Sequence, residues 1–271
     1  MTREPLFIDA EDRRLFAILH GASGGGAPTH TVVWFSPFAE EMNRSRRMAT
    51  LLGERLAANG IALLVFDYSG TGDSGGEFAD ARWEDWIADG NAACRWARDR
   101  LGGRITAVGL RLGVHIAMQC AERDPGLIER LVFWQPVATG KTFLTQFLRQ
   151  RTVAALSAGR EGESTEQLFR MLEAGETVEV AGYELTGGMA DKIGALRLGD
   201  TPPPKPPVHW MELSSTGALS PATSNIVDRW QETGARIHTT ALEGPAFWSI
   251  QETTTAPALI ETTAAALEGD A

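Results

Sequence analysis

Residues 105–117 read ITAVGLRLGVHIA. An apolar, β-branched run ends at Gly109, and Gly113, four residues on, opens a helical pattern. The run reads as a buried strand turning tightly into a helix. This is the outline of a nucleophile elbow, G-x-S-x-G, which holds a serine on a strained strand-to-helix turn. The middle position here is Arg111. A guanidinium is permanently protonated and has no acceptor lone pair, so no base can turn it into a nucleophile.

Outward from the elbow, short apolar runs alternate with helical patterns. TVVWFSPF (31–38), GIALLVFDY (60–68), IERLVFWQPV (128–137), PPVHWMEL (206–213) and GARIHTTAL (234–242) read as strands covered on both faces. Helices are expected from about Asn43 to Asn59, over 83–101, after the elbow, between the last two strands, and in the alanine-rich C-terminal stretch. PLFIDAEDRRLFAIL (5–19) reads as two short strands around a polar turn, and GASGGGAP (21–28) as a flexible loop. The alternation predicts a mostly parallel α/β sheet with right-handed crossovers and helices on both faces. Residues 140–200 break the rhythm with two helices, an extended piece (ETVEVAGYEL) and a further helix. The expectation is one domain over 1–271, with 140–200 inserted as a helical lid over the carboxyl edge of the sheet.

Composition narrows the partners. The chain has 271 residues, 43% hydrophobic and 22% charged, with a net charge of −10. That supports a full core and argues against nucleic acid or anionic membrane surfaces, both of which need Lys and Arg to neutralise phosphate. Cys94 and Cys120 fall in predicted helices without metal or redox spacing, as expected of small buried residues in a reducing compartment. There is no apolar h-region at the N-terminus and no apolar window of roughly 18 residues, so neither a signal peptide nor an integral membrane segment is expected, and the location implied is cytoplasmic. No Walker A lysine, H-E-x-x-H or Cys/His cluster is present, so no metal and no cofactor are expected. Gly70, Gly72 and Gly75 spell G-x-G-x-x-G after a strand, but the following GEFADARWED delays the helix that a dinucleotide site requires.

Three features in order resemble the α/β-hydrolase superfamily: WFSPFAEEMN after a buried strand, FDYSGTGDSGG (66–76) after the next, and the elbow. More narrowly, SPFAEEMNRSRRM, GLRLG, VEVAGYEL and GPAFWSIQE are similar to the group called exosortase A system-associated hydrolase 2. The resemblance implies the α/β-hydrolase fold and a place in the exosortase A/PEP-CTERM exopolysaccharide system. It implies hydrolase ancestry without by itself establishing catalysis.

The triad that this fold uses runs nucleophile, acid, histidine in chain order. The acid would follow VHWMELSSTGA, where the only carboxylate is Glu212. The histidine would fall in LEGPAFWSIQE (242–252), which offers Phe247 and Trp248 instead. His20, His30, His115, His209 and His238 all lie elsewhere. Triad members lose most of their value singly, so joint substitution fits a site no longer used for Ser-His-Asp acyl transfer. Ser36, Ser69 and Ser74 lie on loops expected at the carboxyl edge, where turn capping competes with any catalytic role. His115, one turn after Arg111, is the remaining proton carrier or simply a packed ring.

Arg111 has two readings. Beside a helix N-terminus, it can hold a carboxylate, phosphate or sulfate, alone or on an acyl or sugar derivative. Alternatively Glu40, Glu41 or Glu212 neutralises it internally. Asn43 reads as an N-cap or as pocket rim. The candidate ligand-facing set is Arg111 with its neighbour Leu112, Ser36, Phe38, Glu40, Glu41, Asn43, Gln135 and an aromatic wall of Trp134, Phe247 and Trp248; His115 and Ser36 are the catalytic candidates. The function expected is a non-catalytic or atypical hydrolase-fold protein binding an anionic or acyl ligand or a protein partner. The competing class is an active esterase- or thioesterase-like hydrolase with a non-standard constellation, and a third is a structural partner of a related hydrolase.

Overall fold

A computed structural model describes residues 2–21, 28, 30–159 and 161–268, so the expected loop at 21–28 lies almost wholly outside the described residues. The N-terminal hairpin pairs β1 (Arg3–Ala10) with β2 (Arg13–His20). Then follow β3 (His30–Phe35), α1 (Glu40–Ala57), β4 (Ile61–Phe66), α2 (Trp83–Leu101), β5 (Arg104–Leu110), α3 (Gly113–Arg123) and β6 (Arg130–Trp134). The next segment holds α4 (Gly140–Ser157), α5 (Thr165–Glu173), β7 (Val178–Val180), β8 (Tyr183–Leu185) and α6 (Gly187–Ala195). The chain closes with β9 (Val208–Leu213), α7 (Pro221–Glu232), β10 (Ile237–Leu242) and α8 (Pro257–Glu268).

Eight strands form one sheet in the order β1-β2-β4-β3-β5-β6-β9-β10. The six from β4 to β10 are parallel, and β2 joins antiparallel to β4 at the edge. The pleat sorts side chains between two cores. Val33, Phe35, Leu64, Ala107, Phe133 and Trp210 pack with α2, α3 and α7 on one face. Val32, Trp34, Leu63, Val108, Trp134 and Met211 pack with α1 and α8 on the other. Buried parallel strands therefore read as continuous apolar runs, which is how they stood out in the sequence. This is the α/β-hydrolase fold.

Three local expectations change. Helix α1 starts at Glu40, three residues before Asn43; its N-cap position is Ala39, in a positive-φ conformation (52°) without a side-chain cap. Glu40 and Glu41 then occupy the first turn, where the helix dipole favours them. Strand β6 ends at Trp134 because Gln135 turns the chain at φ 46° and ties itself to β9: its N–H donates to Met211 O (3.0 Å) and its Oε1 accepts from Leu213 N–H (2.8 Å). The extended piece at 176–185 is a small hairpin, turned at Ala181 and Gly182 with φ of 52° and 85°.

The segment between β6 and β9 leaves and returns at one place. Thr139 and Arg197 form an antiparallel bridge, Gly140 N–H donates to Leu196 O (2.9 Å), and Leu198 N–H donates to Ala138 O (3.0 Å). Across the site, Asn43 Nδ2 donates to Tyr183 Oη (2.8 Å), joining α1 to the hairpin.

Candidate functional site

The elbow backbone is built as its glycines require. A Cβ on Gly109 would lie 2.7 Å from Val114 Cα, and one on Gly113 would lie 2.2 Å from Phe35 O. Neither position tolerates a larger residue without moving main chain, so α3 sits tight against β3 and β5. Between them Arg111 takes φ 56° and donates its N–H to Trp134 O (3.0 Å). A non-glycine residue in this region carries a strain of order 1 kcal/mol or more, held by its surroundings.

The Arg111 side chain enters a cavity of about 470 Å³. Phe38, Glu40, Glu41 and Arg44 line it from the loop after β3 and the start of α1. Phe143, Gln146, Phe147 and Gln150 line it from α4, and Trp248 and Ser249 from the turn after β10. Positions 143, 146, 147 and 150 fall on one face of α4 at helical spacing. A smaller cavity of about 190 Å³ shares Arg111, Phe143 and Gln146 and extends past Val137, Thr139 and Thr142.

Arg111 is paired, but loosely. Its Nε lies 3.4 Å from Glu41 Oε1, longer than the 2.7–2.9 Å typical of charge-assisted bonds. Its remaining nitrogens bond to nothing else among the described residues. Its Cζ lies 5.9 Å from the centroid of the Phe143 ring and 5.5 Å from that of Trp248, within reach of cation–π attraction. Glu41 Oε2 is buried and has no partner. Burial pushes the Glu41 carboxyl above the usual range, and the nearby charges of Arg111 and Arg44 oppose that shift without cancelling it. Arg44 is committed elsewhere: its Nη1 donates to Ser249 O (3.0 Å), and its Nε lies 3.7 Å from Glu40 Oε1. Asn43 Nδ2 also donates to Glu40 Oε2 (3.0 Å), so Asn43 acts as a tie at the rim.

The other candidate residues divide by position. Arg111, Phe38, Glu40, Glu41 and Trp248 meet at the cavity, with Asn43 at its edge. Leu112, Trp134 and Phe247 are buried in the cores: Trp134 donates Nε1–H to Thr263 Oγ1 (2.9 Å) and sits edge-on to Trp34 (centroids 5.2 Å apart) and Phe247 (6.4 Å). Only Trp248 of the expected aromatic wall reaches the cavity. Gln135 braces β6 to β9. Ser36 is buried and accepts from Trp34 Nε1 (3.1 Å). Ser74 Oγ donates to Asp67 O (2.6 Å) and accepts from Phe16 N–H (2.8 Å), while Ser69 N–H donates to Asp89 Oδ2 (2.8 Å). These serines build turns.

His115 is 3% exposed, and its Nε2–H donates to Val137 O (2.7 Å). Burial lowers its pKa to about 4, so it stays neutral near pH 7. It lines neither cavity. Glu212 accepts from Ser220 N–H (3.1 Å) at the start of α7 and does not touch Arg111. Of the three carboxylates considered for Arg111, the partner is Glu41. Among the described residues no histidine or cysteine lines either cavity, no group of three or more His, Cys, Asp and Glu could hold a metal, and no helix is long and apolar enough to cross a membrane.

Sequence reasoning did not select Phe143, Gln146, Phe147 and Gln150, although their spacing on α4 was readable, nor Ser249. Arg44 stood in the quoted loop-to-helix stretch but was not chosen as a site residue. Stretches 36–48, 109–113, 178–185 and 244–252, far apart in the chain, all contribute to the cavity or its edge.

The chain resembles known α/β hydrolases along nearly its whole length. Est1E from Butyrivibrio proteoclasticus, solved with ferulic acid bound, superposes with a TM-score of 0.69 at 16% identity, covering 97% of this chain and 98% of that one. Mouse alpha/beta hydrolase domain-containing protein 10 gives a TM-score of 0.63 at 16% identity, covering 98% and 97%. A hydrolase homologue from Coxiella burnetii gives 0.61 at 12% identity, covering 98% of each chain. At these identities the likeness is one of fold. No curated protein matches the sequence. The profile of the family described as serine aminopeptidase, S33, matches residues 26–166, just over half of the chain. With arginine at its elbow, the chain nevertheless belongs to the serine aminopeptidase S33 family of α/β hydrolases.

Proposed function

We propose that this protein has given up Ser-His-Asp hydrolysis and uses the elbow cavity to hold an anionic or acyl-linked ligand, in service of the exosortase A-linked exopolysaccharide system. The observation that carries the reading is Arg111 at the nucleophile position. It is held by one long contact to Glu41, with its other nitrogens unengaged beside a cavity of about 470 Å³. A fixed cation in a partly desolvated pocket is an anion site in a way that a serine is not. The exosortase-linked assignment draws on SPFAEEMNRSRRM, GLRLG, VEVAGYEL and GPAFWSIQE, and these are the stretches that gather around the cavity. In this reading the 140–200 segment serves as its lid, with α4 as the covering helix.

The competing reading is an active esterase- or thioesterase-like hydrolase with a non-standard catalytic constellation. Family membership favours it, and Ser249 is the hydroxyl in the larger cavity. Its Oγ donates to Ala246 O (2.8 Å), with no histidine at hand to activate it. Exposure to a fluorophosphonate probe and to p-nitrophenyl butyrate separates the two. The expected result is no stoichiometric labelling and no turnover above a heat-denatured control. Labelling or turnover abolished by Ser249→Ala would establish the hydrolase and overturn the proposal.

A further inference from the structure

The Arg111 guanidinium presents one usable edge. Glu41 engages Nε, and the rings of Phe143 and Trp248 flank the group at 5.9 and 5.5 Å. Nη1 and Nη2 have no acceptor among the described residues. A planar two-oxygen anion meets such a pair end-on with two parallel hydrogen bonds.

The charges lining the cavity set the valence of that anion. Arg44 and Arg111 stand against Glu40 and Glu41, so the lining is neutral when all four are ionised. Arg44 and Glu40 form their own pair on α1. Glu41 has a buried, unpartnered Oε2, and burial already favours its protonated form. Once it is protonated, the lining carries a single positive charge. From the elements packed opposite, α4 and the turn after β10 bring only Gln146, Gln150, Ser249 and aromatic rings, none of which titrates. One net charge matches a monoanion; a phosphate dianion would leave a charge uncompensated in a low-dielectric site.

The walls set the body of the ligand. Phe38 lies edge-on to Phe147 (centroids 5.2 Å apart), and Phe143 lies parallel to Phe147 (6.3 Å, 8°). Trp248 adds a further ring to the lining. Rings packed against such walls gain edge-to-face attraction beyond the area they bury, and an aliphatic chain does not.

Resting on the ligand-site reading above, we propose that the cavity takes an aryl monocarboxylate, its carboxylate end-on across Nη1 and Nη2 of Arg111 and its ring against Trp248, Phe143 and Phe147. Glu41 and the bound carboxylate compete for one cation, so binding draws a proton onto Glu41.

Titration calorimetry with three probes tests this: 1-naphthaleneacetate, decanoate and 1-naphthyl phosphate, each at pH 6 and pH 8 in buffers of different ionisation enthalpy. The expected order places 1-naphthaleneacetate at least about tenfold tighter than either other probe. Its affinity falls as pH rises, with buffer-dependent heat that reports proton uptake. Glu41→Gln abolishes the pH dependence and the buffer-dependent heat of proton uptake. Arg111→Gln weakens binding by about tenfold or more, and Arg111→Lys, which keeps the cation without the fork, falls between; thermal melts confirm that each variant is folded. A Lys variant equal to wild type overturns the end-on bidentate contact. Arg111-dependent binding in which decanoate or the phosphate equals or exceeds the aryl carboxylate overturns the ligand class and leaves the ligand site standing. Absence of Arg111-dependent binding for all three overturns both.

Discussion

Two aromatic groups meet near the carboxyl edge of the sheet and do different work. Trp34, Trp134 and Phe247 interlock edge-on beneath the edge, fully enclosed between α1, α8 and the sheet. Phe38, Phe143, Phe147 and Trp248 stand above it around the Arg111 guanidinium, and one side of each meets a void. Phe247 and Trp248 are adjacent in sequence and pack edge-on with centroids 5.1 Å apart, yet of the two Trp248 alone lines the cavity. Residue type decides that an aromatic is buried. Whether it faces packed atoms or a cavity depends on pleat parity and on what the inserted segment brings over the top.

The largest test of that contrast is a pair of substitutions. Trp134→Ala removes a ring packed on all sides and should cost ~3–5 kcal/mol in urea unfolding. Trp248→Ala should cost roughly half as much, because its ring already borders empty space, while abolishing the response to aryl carboxylates. Equal stability costs would erase the distinction between the two groups.

The titratable residues on the two sides should bend stability in opposite directions with pH. His115, on α3 across the sheet from the Trp34 and Trp134 rings, is packed on all sides, and its native pKa is lowered from 6.5 to about 4. The unfolded chain therefore binds a proton that the native state refuses, and stability falls as pH drops from about 6.5 towards 4, by on the order of 3 kcal/mol. Unfolding of His115→Gln across this range should lack that slope. Glu41 belongs to the cavity side, and its native carboxyl is raised above 4.5. Here the native state binds the extra proton, so stability from this group is fully present below 4.5 and is lost as pH climbs from 4.5 through the raised native value. Glu41→Gln should gain stability over wild type with rising pH. This is the smallest of the three effects, since Arg111 and Arg44 oppose the desolvation. A wild-type advantage that grows with pH would show Glu41 to be a stabilising ion-pair partner and close the cavity to anions.

Much of this architecture was legible in the chain. Helix α2 and strand β5 match their expected spans, because a glycine-bounded β-branched run and a tryptophan-led amphipathic stretch leave little choice. The elbow was legible because Gly109 and Gly113 are demanded by backbone contacts. The start of α1 was not: Asn43 looked like a cap, but tertiary packing fixes Ala39 in a conformation that propensity disfavours. Nor could spacing choose Glu41 over Glu40 or Glu212 as the partner of Arg111, since the contact joins residues 70 apart. Trp134 was taken for a wall residue because it ends a strand; the pleat turns it instead to the same face as Trp34.

The neck formed by Thr139 and Arg197 has an evolutionary consequence. Nearly sixty residues enter and leave the sheet through one bridged doorway, so their length and content can change without altering any strand register. The cation at the elbow belongs to the frame, while Phe143, Gln146, Phe147 and Gln150 belong to the cassette. Exchange of the cassette alone would redraw the pocket's preference around an unchanged anchor, so lineages sharing this frame can diverge in what they hold while still folding the same way.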